Sequence, residues 1–153
     1  MRNFIVRFVS TCGYVGYLPL FPGTWGSAVG VVVFLMARDN LTLQLLLCLG
    51  AILLGFLTSG RTERIIGIKD PKCVVIDEVA GMLITLFALP ARPGYVIVGF
   101  LLFRLFDTLK PYPAYTIQQR EGSLGIMADD LIAAVYANVV LQMVASGISL
   151  MGL

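Results

Sequence analysis

Long uncharged stretches dominate this sequence and restrict what it can fold into. Five windows contain no Asp, Glu, Lys or Arg: Phe8–Ala37, Asn40–Gly60, Val79–Ala91, Pro93–Phe103 and Leu131–Leu153. Several of them approach or exceed the roughly 20 apolar residues that span a bilayer. The 11 basic and 9 acidic residues make up 13% of the chain, about half the roughly 25% usual in a soluble domain. With 153 residues, 58% of them hydrophobic, a soluble fold would leave too much apolar surface in water. The expectation is an all-α, polytopic membrane bundle, a single domain over residues 1–153.

What is missing narrows the chemistry. There is no histidine, which excludes phosphohistidine, a Ser-His-Asp triad and a His-rich zinc site. The three cysteines, Cys12, Cys48 and Cys73, are scattered through apolar surroundings without CxxC spacing, so neither a disulfide framework nor a zinc knuckle is expected. None has an Arg six residues later, which removes the cysteine-phosphatase loop. A net charge of +2 is too small to suggest a nucleic-acid partner. The start, Met1-Arg2-Asn3, leads into a Gly/Pro-broken stretch and not a clean signal-peptide core. Internal repeats and low-complexity tracts are not evident.

Five helical segments are predicted, at about Trp25–Ala37, Leu41–Ser59, Asp77–Leu89, Tyr95–Leu109 and Asp129–Gly147. Pro22-Gly23 breaks the preceding stretch and Thr24 is expected to cap the first segment. Residues 2–20 are read as an interfacial helix and a loop. Alternating the direction of these spans places Arg2, Arg7, Arg61, Arg64, Lys69, Lys72, Arg104, Lys110 and Arg120 on one side, and Arg38 and Arg92 on the other. The positive-inside rule then makes the richer side cytoplasmic. It puts Arg61–Lys72 and Pro111–Ala128 there, with the C-terminus on the far side. Every acidic residue except Asp39 falls on the same cytoplasmic side, and that rule does not require it. Ionisable groups at membrane depth cost about 2.5–3.5 kcal/mol each on insertion scales, so they are normally paired or functional.

Four clusters carry this polarity. Pro22-Gly23-Thr24-Trp25-Gly26-Ser27 places glycines and hydroxyls at a helix start, where free N–H groups suit a phosphate; an ordinary N-cap with Trp25 as interfacial anchor is the simpler alternative. In Ile76-Asp77-Glu78-Val79-Ala80-Gly81-Met82, paired acids could merely complement the helix dipole. Yet Ala80 and Gly81 make the Asp77 face small and suited to close packing. Along Phe103–Pro113, Arg104, Asp107 and Lys110 recur every three residues on one face. They form either an i,i+3 ion-pair ladder or a metal ligand flanked by phosphate-binding cations. In Gly125–Leu131, Asp129 and Asp130 stand above small residues again. Up to five carboxylates on one membrane side, without imidazole or a suitable thiol, favour Mg²⁺ or Mn²⁺ over zinc.

The strings PGTWGS at 22–27, IDEVAGM at 76–82, FRLFDTLKPYPA at 103–114 and GIMADDLIA at 125–133 together resemble the phosphatidylglycerophosphatase A family of bacterial inner membranes. Ala134 departs from the glycine that relatives often carry there, a difference that bears on helix packing more than on chemistry. The resemblance implies a multi-pass, Mg²⁺-dependent lipid phosphatase that converts phosphatidylglycerophosphate to phosphatidylglycerol and inorganic phosphate in phospholipid biosynthesis.

Combined with the clusters, this gives Asp77, Glu78, Asp107, Asp129 and Asp130 as the pool of metal ligands, with Asp107 and Asp130 as candidate catalytic groups. Thr24, Ser27, Arg104 and Lys110 are the expected phosphate contacts. Attack by water is favoured over an aspartyl-phosphate because the DxDxT pattern is absent. A phosphatase for a polyprenyl lipid, or a small ion-coupled transporter with the acids as its ion path, are the alternatives. Oligomeric state is not readable from the sequence.

Overall fold

A computed structural model describes residues 2–150. Met1, the side chain of Arg2 and residues 151–153, which the tracing above carries to the far side, lie outside the described residues. Among those residues the chain is entirely helical. The helices are α1 (Arg2–Ser10), α2 (Pro22–Met36), α3 (Leu41–Ile66), α4 (Ile76–Leu86), α5 (Pro93–Leu109), α6 (Ala114–Gln118) and α7 (Ser123–Leu150), with a 3₁₀ turn at Val15–Tyr17.

All five predicted segments are present, with shifted ends that have local causes. Pro22 does not break a helix; it occupies the first helical turn of α2, where its missing N–H and fixed φ are harmless. Thr24 therefore lies inside the helix and not at its cap, and no side chain caps this end. Asn40 does cap α3, its Oδ1 accepting from Leu43 N at 2.9 Å. This helix continues past Ser59 through Arg61 and Arg64 to Gly67, whose φ of 76° ends it, a left-handed conformation that glycine adopts without strain. α7 begins at Ser123, six residues before the expected start.

Among the described residues, α3 and α7, of 26 and 28 residues, are the two helices long and apolar enough to cross a membrane. At about 1.5 Å per residue they measure roughly 40 Å against a hydrocarbon core of about 30 Å. Their patterning is inverted relative to a soluble helix. In α3 the buried face consists of Gln44, Cys48, Gly55, Thr58, Ser59, Gly60 and Thr62, while Leu46, Leu49, Leu53 and Leu57 are exposed. Small and weakly polar residues pack inward and leucines face outward, as expected where lipid and not water is the solvent. α1 presents Phe4, Ile5 and Phe8 outward. It is tied to α3 by a 2.7 Å hydrogen bond between Ser10 Oγ and Thr62 Oγ1.

The core of the bundle is α4, with nine of its eleven residues buried among α2, α3, α5 and α7. It is only about 16 Å long, so its last carbonyls lie beside the middle of α7 and not at its end. Carbonyls stranded there would cost several kcal/mol in an apolar medium. Two amide side chains prevent this, and a third satisfies an N–H just beyond the helix. Asn138 Nδ2 donates to the carbonyls of Thr85 (3.0 Å) and Phe87 (3.1 Å), and Gln142 Nε2 donates to Phe87 O at 3.2 Å. Gln44 Oε1 accepts from Ala88 N at 3.1 Å, while its Nε2 donates to Arg38 O at 3.1 Å. Replacing Asn138 with Leu is expected to destabilise the protein by about 1–3 kcal/mol for the stranded acceptors. Thermal unfolding in detergent checks this, with Val139→Leu on the exposed face as a neutral control; equal melting of the two variants would remove the capping role.

Candidate functional site

The chain reversals bring four helix ends, three of them bearing charged side chains, to one end of the bundle. α4 and α7 contribute their N-terminal turns, α5 its C-terminus, and α2 its first residues. Together with the α3–α4 loop they enclose a polar cavity of about 280 Å³, lined by Phe21–Gly23, Asp70, Lys72, Asp77, Glu78, Arg104, Asp107, Lys110, Asp129 and Asp130. All five carboxylates expected from the sequence, and both expected cations of the third cluster, reach it.

Inside the cavity the carboxylates divide into two sets. Asp77, Glu78 and Asp130 each offer an oxygen, and these oxygens lie within 4.8 Å of one another. Asp77 and Asp130 are buried at 7% and 4% exposure, and Asp77 Oδ1 and Glu78 Oε2 have no hydrogen-bond partner. None of the three makes an ion pair among the described residues. With all three ionised this arrangement is costly, because like charges at this spacing repel and burial strengthens the repulsion.

The second set is already compensated. Asp107 Oδ2 lies 2.9 Å from Arg104 Nη1 and its Oδ1 lies 3.7 Å from Lys110 Nζ. Lys110 also pairs with buried Asp129. Arg104, Asp107, Lys110 and Asp129 thus form a ladder along one wall. Lys110 reaches both acids because it terminates α5 in a left-handed conformation, φ 45°, which costs a non-glycine residue roughly 1–2 kcal/mol. Strain of this kind is retained where the surroundings over-determine it.

The two hydroxyls expected to hold phosphate are not brought to the cavity. Thr24 and Ser27 are absent from its lining, and Ser27 Oγ, fully buried, donates to Gly23 O at 2.9 Å. The early helix start turns both into the body of α2. What the segment does supply is backbone at Gly23. A Cβ there would lie 3.0 Å from Arg104 Nη1 and closer still to Glu78 Oε1, so a larger residue would displace the ends of both side chains. Sequence reasoning passed over Asp70 and Lys72. They carry no motif, but lie within seven residues of Asp77 in a short loop on the same side.

Outward-facing apolar helices, two of them long and apolar enough to cross a membrane among the described residues, and a one-ended cavity of carboxylates and cations define a helical protein with a polar site at one end of its bundle. The phosphatidylglycerophosphatase A family profile matches residues 8–145. A Haemophilus influenzae protein named phosphatidylglycerophosphatase A is 37% identical over 123 residues, covering 78% of this chain and 76% of the relative. The Escherichia coli K12 protein of the same name is 36% identical over 123 residues, covering 78% and 72%. A Bacteroides thetaiotaomicron protein provisionally named a phosphatidylinositol-3-phosphatase is 32% identical over 144 residues, covering 88% and 90%. No solved structure matches. The chain belongs to the phosphatidylglycerophosphatase A family, whose members are enzymes named for phosphatase activity.

Proposed function

We propose that this protein removes the terminal phosphate of phosphatidylglycerophosphate at the cytoplasmic face of a bacterial inner membrane, yielding phosphatidylglycerol and inorganic phosphate for phospholipid biosynthesis. The observation that carries this reading is the cavity's division into an uncompensated carboxylate trio and a cation-bearing ladder, in a chain of this family. The nine-to-two excess of basic residues on the site's side supports the cytoplasmic orientation and a multi-pass topology.

Hard oxygen donors without imidazole or thiolate fit Mg²⁺, and Mn²⁺ next. The orphaned oxygens of Asp77 and Glu78 are the feature that a bound ion would satisfy. Asp77, Glu78 and Asp130 would hold it, with Asp107 and Asp129 close enough to support the set. When bound, such an ion supplies charge stabilisation at phosphate oxygens and acidifies water.

The remaining work falls to the chain's own groups. Arg104 and Lys110 bind phosphate oxygens through charge-assisted hydrogen bonds, and Asp107 and Asp129 hold these two cations in place. A water oxygen forms the new bond to phosphorus as the ester P–O bond breaks. A carboxylate, Asp107 or Asp130, takes the water's proton, and the departing glycerol oxygen takes up a proton from bulk water.

Phosphate release from phosphatidylglycerophosphate by purified protein in detergent tests the reading. It is expected to vanish in chelator and return with Mg²⁺, and to survive replacement of all three cysteines by serine. Full activity in chelator would refute the metal assignment. The name of the Bacteroides relative favours one second reading, a phosphoinositide headgroup; phosphatidylinositol 3-phosphate in the same assay separates the two by relative kcat/KM.

A further inference from the structure

An apolar groove of about 400 Å³ runs between α2 and α5, lined by Ala28, Val31 and Val32 on one side and Val96, Ile97 and Leu101 on the other, with Phe100. The same two helices line the polar cavity, α2 through Gly23 and α5 through Arg104. The groove therefore lies on the same two helices as the site, further toward the opposite end of the bundle. α2 enters it N-terminus first and α5 leaves it C-terminus last, so their residues can be ranked by depth from the cavity. At about 1.5 Å per residue, Ala28 lies about 8 Å below Gly23 and Val32 about 14 Å; Leu101 lies about 5 Å below Arg104 and Val96 about 12 Å. The groove thus begins just beneath the charged groups and ends about 12–14 Å down. That depth is close to one leaflet, half of a roughly 30 Å hydrocarbon core.

We infer that this groove holds one acyl chain of the phospholipid whose phosphate occupies the cavity, and that its width sets selectivity for long-chain over short-chain substrates. The inference rests on the lipid-phosphatase reading for its headgroup and adds where the tail lies. The absence of charge along the groove, its position on the two helices that line the polar cavity and its one-leaflet depth all favour the tail of a lipid anchored at that cavity. Lipid passing at random along the bundle would have equal access to the exposed leucine face of α3.

Val32→Trp and Ile97→Trp would each fill the groove without touching the charged groups. Each is expected to lower the ratio of kcat/KM for a dipalmitoyl substrate to that for a dibutyryl analogue at least about tenfold, ~1.4 kcal/mol. Most of the change is expected in KM, since contact with only about two methylenes need be lost. Leu46→Trp, on the outward face of α3, serves as the control and leaves the ratio alone. A ratio unmoved by both groove variants would overturn the inference, as would equal losses on both substrates.

A second measurement does not depend on turnover. A phosphatidate carrying a photoactivatable group at mid-chain, in vesicles with the intact protein, is expected to label peptides 28–32 and 96–101 preferentially, and less so in Val32→Trp. Labelling spread evenly over α3 and α7 would overturn the groove assignment. Labelling at the groove in a protein that releases no phosphate would leave the groove standing and refute the phosphatase reading instead.

Discussion

Asp130→Asn is expected to melt higher than the parent protein in chelator, and to release phosphate at least about 10²-fold more slowly in Mg²⁺, the scale of losing one preorganised electrostatic group. Both effects come from the same geometry. Asp77, Glu78 and Asp130 bring their oxygens within 4.8 Å of one another without an ion-pair partner among the described residues. With no cation bound, replacing one of three crowded, buried carboxyl groups by a neutral amide relieves repulsion and the cost of burying an ionisable group. A gain of about 1 kcal/mol would appear as a rise of roughly 2–4 °C in a protein of this size. With cation present the order reverses. A ligand at 100 times its Kd adds about 2.7 kcal/mol to the parent's stability, and the variant, lacking one donor, loses most of that increment. Thermal unfolding with and without Mg²⁺, alongside phosphate release, reads all of this. An Asp130→Asn protein that melts lower in chelator and turns over normally would mean that the trio is a structural cluster and not a cation site.

How much of this was legible in the sequence depends on what each feature answers to. The helices were legible because the bilayer imposes long uncharged windows, and the side on which the acids gather followed from alternating their direction. Helix ends were less so. Pro22 reads as a breaker until it is seen at the first turn of α2, and that shift of a few residues removes Thr24 and Ser27 from the site. The five-residue α6 has too little pattern to stand out in a polar segment. The caps at the end of α4 were hidden for another reason: Gln44, Asn138 and Gln142 look like stray polar residues in apolar windows, and only the shortness of α4 gives them backbone groups to satisfy. The division of the carboxylates was beyond reach. Asp129 and Asp130 are neighbours in the chain, but successive helical residues point about 100° apart, so one turns to Lys110 and the other to the trio.

The same division makes Asp107 the residue with the second-largest expected effect, and gives its loss a different signature. Asp107 stands between Arg104 and Lys110, 2.9 and 3.7 Å from their nitrogens, with its side chain 15% exposed. Asp107→Asn keeps the shape but takes from Arg104 the carboxylate it pairs with and leaves Lys110 with Asp129. Breaking a largely buried pair in this way is expected to cost about 2 kcal/mol of stability, the opposite sign to Asp130→Asn in chelator. Turnover is expected to fall about 10²-fold as well, because the two cations lose the geometry in which they meet phosphate and one candidate proton acceptor disappears. A companion variant, Lys110→Met, separates these contributions. In the double variant Asp107→Asn/Lys110→Met the surplus positive charge is gone, so stability should recover toward the parent beyond the sum of the single losses, a coupling that residues in direct contact show. Turnover should not recover, since neither the phosphate contact nor the carboxylate is restored. If the ladder only held helices together, activity would follow stability back upward in the double variant; recovery of both would confine Arg104, Asp107 and Lys110 to a structural role and leave the chemistry to the trio alone.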